Sequence, residues 1–165
     1  MSRVMLIGEG FAGDGVNAAH INIVLGPRNG PVGTAWATAL ATPSVGHVPF
    51  VAVAQPGVPI RPFTLFVNKA AIDNDTHGRL TWGAAQAGLS MGIGEGHKRG
   101  FFREWGDFVM IAAVWVNPAA DSEFAVFTHN RDATVAAIAM CSRPTHATAT
   151  DVEAMLSPSN PYFQK

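Results

Sequence analysis

The chain has 165 residues, which suits one ordinary domain, and 48% of them are hydrophobic while only 14% are charged. Soluble domains average roughly 25% charged residues, so a chain this poor in charge must bury apolar side chains beyond its own core. Subunit interfaces are depleted of charge in the same way, and we therefore expect a homo-oligomer. The net charge of −1 gives no basic field for a phosphate backbone, which argues against nucleic acid as a partner.

The sequence also bears on the compartment. No apolar run reaches the ~18 residues that a transmembrane helix requires, and the first residues lack the pattern of a secretory signal. We therefore expect no membrane partner and a cytoplasmic location. The single cysteine, Cys141, excludes an internal disulfide framework and fits a reducing compartment. Its apolar helical surroundings favour inert packing over a reactive thiol.

Strand-like patterns open the chain. Val4 to Ile7 is the first predicted strand, and it runs into the glycines of GEGFAGDG. Ala18 to Leu25 alternates between an aliphatic face and a face that carries His20 and Asn22, which predicts a second strand. The turn GPRNGP then leads into a small, apolar helix, VGTAWATALA, which ends before Pro43.

The middle of the chain contains two more predicted strands and a glycine-rich helical region. Phe50 to Ala54 and Pro62 to Ile72 are strand-like, and Lys69 shares one face of the second strand with aliphatic side chains. Residues 73–96 have helical spacing but many glycines, which lower helix stability. We expect a short helix, a break near Gly83 and a second helix that carries Gln86.

The last predicted elements are more apolar. Asp107 to Val116 is a continuous apolar run that predicts a buried strand, and Asn130 to Ser142 is an apolar helix with Asn130 or Asp132 placed to cap it. We predict one domain over residues 1–143, followed by a tail, residues 144–165, with one short helix signalled by the capping box Thr150-x-x-Glu153.

Several familiar motifs are incomplete. The glycines of the first segment and of Gly92–Gly96 contain pieces of a nucleotide-binding loop, but neither gives G-x-G-x-x-G between a strand and a helix. The six histidines have no metal-ligand spacing and no paired cysteines beside them, so no metal site is expected. A serine nucleophile elbow, G-x-S-x-G, is also missing.

Two strand residues, His20 and Lys69, remain as candidates for chemistry. A single strand histidine most often faces water or satisfied polar neighbours, and a lysine at a strand end most often extends its amine into solvent. A lysine held in an apolar site has instead a lowered pKa, which suits a proton carrier or an amine nucleophile. The residue types alone leave both interpretations open.

Several phrases together resemble the family of formaldehyde-activating enzymes. They are IGEG-F-GDG-N-AHIN, GPRNGPVGTAWATALATPSVGH, LFVNK and WGAAQAG, and they follow the family's order without gaps from His20 through Gln86. The segments DFVMIAAVWVNPAADSE and HNRDATVAAIA are similar to the family's later strand and helix more loosely. The resemblance covers about residues 6–142.

This resemblance implies an α/β (α+β) fold, a mixed β-sheet with helices packed on one side, similar to the second domain of ribosomal protein S5. It implies ring-shaped homopentamers with sites between subunits. The implied reaction condenses formaldehyde with tetrahydromethanopterin, a co-substrate, to the methylene-bridged pterin with loss of water. His20 would be the proton donor, with Lys69 and Gln86 in the pterin site and Val51 where the family usually has leucine. Neither a metal nor a covalently bound cofactor is implied.

Two substrate-binding positions depart from the family pattern. Asn22 stands where the family has aspartate and lacks its charge, and Ala71 stands where the family has threonine and lacks its hydroxyl. Three hypotheses follow: a hydro-lyase acting on a reduced pterin, a non-catalytic or altered-substrate paralogue that binds a pterin or formaldehyde as carrier or sensor, and an enzyme that handles aldehydes through a Schiff base on Lys69. The retained His20, Lys69 and Gln86 favour the first hypothesis, and the departures Asn22 and Ala71 favour the second.

Overall fold

The computed structural model describes residues 5–103, 106–143, 146–160 and 163. Its strands are β1 (Leu6–Ala12), β2 (Ala19–Pro27), β3 (Phe50–Val51), β4 (Val53–Gln55), β5 (Val58–Pro59), β6 (Phe63–Asn68) and β7 (Phe108–Trp115). Its α-helices are α1 (Pro31–Ala41), α2 (Asp75–Arg79), α3 (Gln86–Lys98), α4 (Glu123–Cys141) and α5 (Ala149–Leu156). None of these helices is long and apolar enough to cross a membrane.

Five strands form one mixed sheet in the order β1-β2-β7-β6-β3, while β4 and β5 pair separately. β6 and β7 are parallel, and the other neighbouring pairs of the sheet are antiparallel. The predicted α/β class is therefore confirmed as a mixed sheet with helices packed against it. The finer likeness to ribosomal protein S5 stays a prediction.

The main core lies between the sheet and the helices α3 and α4. Strand alternation sends the aliphatic side chains of β2, such as Ile21 and Ile23, to this face, where they are fully buried. α4 packs closely on β1 because Gly8 and Gly10 have no side chains, and a Cβ at either position would overlap a carbonyl oxygen of α4. The glycines that resemble a nucleotide loop in the sequence are thus part of a strand that touches a helix.

The opposite face of the sheet is covered in part by α1. This helix contacts β2 and β7, and its buried Val32 lies outside the main core, as do Leu65 and Val109. By strand alternation Leu65 and Val109 point to the face that carries His20. We infer that α1 shields one end of this face, so helices pack against both sides of the sheet rather than on one side only.

Several predicted boundaries need correction. β1 continues through the glycine-rich segment to Ala12, and the predicted start at Val4 lies outside the described residues. The strand predicted over 50–54 is divided at Ala52 between β3 and β4. The break predicted near Gly83 is a π-helical segment, Leu80–Ala85, that joins α2 to α3 without leaving the helix. Such π segments are frequent at functional sites.

The helix caps also differ from those predicted. α4 begins at Glu123 with Ser122 as its N-cap, so the caps predicted at Asn130 and Asp132 are wrong, and Asn130 is buried inside the helix. The polar run Thr128–Asn130 interrupts the apolar pattern inside α4, and this is why its start was predicted too late.

The tail contains α5, with a capping box two residues earlier than the predicted Thr150-x-x-Glu153. Its capping residues are Thr148 and Asp151, and the predicted pair is wrong. Residues 1–4 and 104–105 of the predicted domain and 144–145, 161–162 and 164–165 of the predicted tail lie outside the described residues. The division of the chain at residue 143 stays a prediction.

Candidate functional site

The register of the sheet brings polar side chains of β1 and β2 together on the face opposite α3 and α4. His20 pairs with Phe11 of β1 on one side and with Trp115 of β7 on the other. Asn22, two residues on, pairs with Glu9. Since residues two apart on a strand share a face, His20, Asn22 and Glu9 form one polar patch beside the sheet edge.

Lys69 enters this patch from the far side of β7. It directly follows β6, and its backbone N–H donates to the carbonyl oxygen of Val114 at 2.8 Å, which fixes the start of its side chain. Its amine then reaches across β7 to the side chains of β2. Lys69 Nζ lies 3.0 Å from His20 Nδ1 and 2.8 Å from Asn22 Oδ1.

A carboxylate completes the cluster. Glu9 Oε1 lies 3.0 Å from His20 Nε2, and the two side chains are 47% and 36% exposed. A lysine ammonium has only hydrogens to donate, so His20 Nδ1 accepts from Lys69. The proton of a neutral His20 ring then sits on Nε2 and is donated to Glu9. The contacts therefore define one tautomer and a chain of hydrogen bonds from Glu9 through His20 and Lys69 to Asn22.

The environment of the cluster lowers the pKa values of His20 and Lys69. Burial lowers the pKa of His20 below its ordinary value, the Lys69 charge lowers it further, and Glu9 opposes both effects. Burial also lowers the pKa of Lys69, again against the attraction of Glu9. Both groups give up a proton more readily than they do in water, which favours the transfer of a proton from the pair.

Two other predicted substrate-binding residues, Val51 and Gln86, lie at the far edge of the sheet. Val51 is on β3 opposite Leu65. Gln86 is the first residue of α3, its Oε1 accepts from the Val53 N–H at 2.9 Å, and its Nε2 donates to the Trp82 carbonyl at 2.9 Å. Gln86 helps to line an open depression of about 270 Å³ together with Val48, Phe50 and Trp82.

This depression is well separated from His20 within one subunit. β3 is three strands away from β2 in the sheet. With strands about 4.8 Å apart, the separation is about 14 Å. The structure thus brings His20, Asn22 and Lys69 together and leaves Val51 and Gln86 elsewhere.

Ala71, the remaining predicted residue, is exposed two positions after Lys69. It lies against the turn at Gly46, where an added Cβ would come within 2.8 Å of the Ala71 methyl group. Gly46 has φ +78°, a conformation that favours glycine, so the turn brings bare backbone up to Ala71. The position is open to solvent on its other side and has room for a small polar side chain.

Other candidate side chains have structural roles. His77 is 1% exposed, and its ring contacts the Val116 carbonyl oxygen and the Asp73 N–H, which ties α2 to the end of β7. Burial raises the pKa of Cys141 to about 11, as expected of a packed thiol. Within the described residues no three His, Cys, Asp or Glu side chains converge as metal ligands. The absence of a metal stays a prediction.

Glu9 is the member of the cluster that sequence reasoning missed. The glycines on both sides of it suggested a loop, whereas the alternation of Gly8, Glu9 and Gly10 is that of a strand with one crowded face. Had the segment been interpreted as a strand paired antiparallel with the His20 strand, Glu9 would have been placed next to His20.

Comparison with known proteins agrees with the resemblance. A sequence model of the family described as formaldehyde-activating enzyme (Fae) matches residues 7–157, which extends past the segment 6–142 and includes α5. A 5,6,7,8-tetrahydromethanopterin hydro-lyase of Methanosarcina barkeri is 37% identical over 144 residues, or 85% of this chain and 81% of that protein.

Longer relatives match over part of their length. The bifunctional enzyme Fae/Hps of Methanosphaerula palustris is 36% identical over 75% of this chain and 32% of its own length. The protein of the same name from Methanosphaera stadtmanae is 34% identical over 84% of this chain and 34% of its own length. The chain thus spans about one third of these bifunctional relatives.

Proposed function

We propose that this chain, which belongs to the formaldehyde-activating enzyme family, condenses formaldehyde with tetrahydromethanopterin and releases water as a carbon–oxygen lyase. The observation that carries the proposal is the contact of Lys69 Nζ with both His20 Nδ1 and Asn22 Oδ1, at 3.0 and 2.8 Å. His20 and Asn22 share one face of β2, and Lys69 is 49 and 47 positions away from them in the sequence. Together the three form a half-buried cluster of proton donors and acceptors.

The cluster fits the proton transfers of this condensation. A pterin nitrogen adds to formaldehyde and gives a carbinolamine, whose hydroxyl leaves as water only after it receives a proton. His20 supplies that proton as general acid from Nε2–H, which it shares between Glu9 and the carbinolamine oxygen, and Lys69 resupplies the ring at Nδ1. The iminium that remains is captured by the second pterin nitrogen, which returns a proton to the cluster, so that no net proton is consumed. The remaining task of the protein is orientation of the two reactants.

Lys69 also has capacity to hold a ligand. Its ammonium has three hydrogens, and the described contacts with His20 and Asn22 use two of them. The third hydrogen is available to an oxygen or nitrogen of the pterin. Asn22 orients the amine through its amide oxygen, and we assign Ala71 to the solvent-side wall of the same site.

We propose that the site is completed between subunits of a cytoplasmic homopentamer. Val51 lies on a strand about 14 Å from that of His20 in one subunit, at 4.8 Å per strand, and Gln86 lies on α3 beside Val53, so we assign both to a pterin held by a neighbouring copy. Low charge and exposed apolar side chains such as Ile7, Phe11 and Trp82 support an interface on these surfaces. Light scattering at micromolar concentration tests this assembly, and a stable monomer would contradict it.

The test of the reaction is stopped-flow consumption of formaldehyde in the presence of tetrahydromethanopterin. We expect the chain to accelerate condensation above the uncatalysed background, with saturation in the pterin. No metal or redox cofactor is added, because the proposed chemistry needs only proton transfer and orientation. A rate equal to the background, with properly folded protein, would reject the enzyme.

A second candidate function is a carrier or sensor that binds a pterin or formaldehyde without turnover. The observation that favours it is the neutral amide of Asn22 at the position that contacts Lys69 Nζ, since an amide gives the ammonium less stabilisation than a carboxylate. Tight pterin binding by calorimetry, combined with a background rate in the stopped-flow assay, would support this function instead.

A further inference from the structure

We infer that Glu9 is a positioning residue for the proton-transfer pair: its carboxylate accepts from His20 Nε2–H, supports the tautomer that Lys69 selects at Nδ1, and stabilises the imidazolium when Lys69 passes a proton to Nδ1. The inference deepens the proposed function, and its kinetic part rests on that function. Its structural part concerns only the protonation and tautomer of His20 and is measured without substrate.

The backbone of Glu9 is held in place on three sides. β1 pairs with β2 so that Glu9 lies opposite Asn22 and one diagonal step from His20. Gly8 and Gly10 turn toward α4 and allow the helix to approach the strand. On the outer edge of the sheet the Glu9 N–H donates to the sulfur of Met140 at 3.2 Å. The carboxylate is therefore presented to His20 by a fixed strand, although the side chain itself is 47% exposed.

Glu9 supplies the negative charge of the cluster. The titratable groups that face His20 are Glu9 from β1 and Lys69 from the segment after β6. The other neighbours are uncharged: Asn22 on β2, Trp115 on β7 and the Phe11 ring, whose centroid is 6.1 Å from that of His20. α1, which covers part of this face, has no charged residue in its sequence.

The proton transfer balances within these groups. When the proton moves from Lys69 Nζ to His20 Nδ1, the ammonium becomes a neutral amine and the imidazole becomes an imidazolium. The imidazolium then has a hydrogen on each nitrogen, and the one on Nε2 points at the Glu9 carboxylate. A carboxylate 3.0 Å away favours this charged ring over the neutral one. Glu9 thus opposes the burial that lowers the pKa of both His20 and Lys69.

The test uses the full chain with the substitutions Glu9→Gln and Glu9→Ala. In ¹⁵N NMR titrations of the free protein we expect Glu9→Gln to lower the pKa of His20 while the Nε2–H tautomer persists, because the amide oxygen still accepts. Glu9→Ala should also lower the pKa of His20 and leave the Nε2–H without its acceptor, while Lys69 at Nδ1 still selects this tautomer. In the condensation assay we expect kcat to fall about tenfold for Glu9→Gln with little change in the KM for the pterin.

Two further variants make the result specific. Glu153→Gln removes an equal charge from the exposed face of α5 and should leave both the His20 titration and kcat unchanged. In Glu9→Gln/Asn22→Asp a carboxylate is restored on the Lys69 side of the pair, and we expect the pKa of His20 and part of kcat to recover. The Asn22→Asp single variant is the reference, because this substitution is expected to raise the rate by itself, and the kcat and the His20 pKa of Glu9→Gln/Asn22→Asp should both lie below those of Asn22→Asp.

The outcomes separate the inference from the function on which it rests. A His20 titration and tautomer identical in the parent and in Glu9→Gln would overturn the inference, whatever the activity. A lowered His20 pKa in Glu9→Gln, in a protein whose parent shows no turnover, would uphold the positioning role and reject the proposed reaction. A loss of kcat without any change at His20 would likewise overturn the inference.

Discussion

The two faces of the central sheet are made by the same strands and differ in almost every physical respect. On β2, Ile21 and Ile23 are fully buried beneath α3 and α4, while His20 and Asn22 on the alternate positions are partly exposed and hydrogen-bonded to Lys69. On the first face, Gly8 and Gly10 allow α4 to pack directly on the sheet. The second face carries His20 and Lys69, whose pKa values are lowered. One face therefore carries the packing and the other the proposed chemistry, and substitutions should affect them separately.

The largest expected effect is on the polar face. His20→Ala removes the proposed general acid and should reduce the condensation rate by about 10²- to 10⁴-fold. The side chain is 36% exposed and lies outside the main core, so the fold and the assembly should be retained. Stopped-flow kinetics measure the rate, and circular dichroism with light scattering measures the fold. Near-normal turnover in a folded variant would remove His20 from the role of essential acid.

The packed face should respond in stability instead. An added Cβ at Gly92 lies 2.6 Å from the Thr134 Cβ on α4, whereas an added Cβ at Gly94, in the same helix, has no atom within 4 Å. Gly92→Ala should lower the free energy of unfolding by about 1–3 kcal/mol through overpacking between α3 and α4. Its matched control, Gly94→Ala, should raise it by up to about 1 kcal/mol, because alanine is the better helix former.

Urea unfolding measures the free energy of unfolding of both glycine variants. The two substitutions are the same and lie in the same helix, so they differ in whether the added methyl group faces α4. Equal destabilisation by the two substitutions would show that helix propensity, not the contact with α4, decides the outcome. Neither variant should change the contact of Lys69 with His20.

A smaller effect is expected from restoring the family residues on the polar face. Asn22→Asp would place a carboxylate within 2.8 Å of Lys69 Nζ, and Ala71→Thr would add a hydroxyl beside the Gly46 turn. We expect the double variant to raise the condensation rate at least about tenfold, which corresponds to roughly 1.4 kcal/mol of transition-state stabilisation. Both single variants belong in the same assay, since effects on one ligand need not add.

The double variant also decides between the two candidate functions. If it folds and assembles normally but gains no activity, the missing carboxylate and hydroxyl are not what limits the parent. The altered-substrate or carrier function would then be preferred over the hydro-lyase.

Strand and helix patterns predicted much of the fold because the two faces of the sheet differ so strongly. The alternation in β2 separated His20 and Asn22 from the aliphatic positions, and the apolar run of β7 predicted a buried strand correctly. The wrong end predicted for β1 has a physical cause. Gly8 and Gly10 lower the strand signal in β1, yet the sheet requires them because α4 leaves no room for side chains.

Local sequence patterns predicted less of the candidate site than of the fold. Lys69 is 49 positions from His20, and no periodicity predicts a contact across an intervening strand. The resemblance to a family, not the spacing, brought these two residues into one hypothesis. Glu9 stayed hidden because its strand was interpreted as a loop. The pairing of distant strands is a property of the whole sheet, so a site built across three strands appears only when that sheet is assembled.

The smallest expected effect is a loss of folding stability at low pH, caused by the protonation of His20. Burial and the Lys69 charge lower the pKa of His20 below its unfolded value of 6.5, so the unfolded chain binds more protons in the window just below that pH. Stability contributed by His20 is therefore present above pH 6.5 and lost as the pH falls through the lowered folded pKa. His20→Gln should consequently lose less stability than the parent between neutral and mildly acidic pH.

Lys69→Met removes the second cause of the lowered His20 pKa and should also make the stability less sensitive to acid than that of the parent. Thermal unfolding of the three proteins at matched ionic strength measures the effect. A steeper loss in His20→Gln than in the parent would show that the folded protein binds the His20 proton more tightly than the unfolded chain, with Glu9 outweighing burial and Lys69.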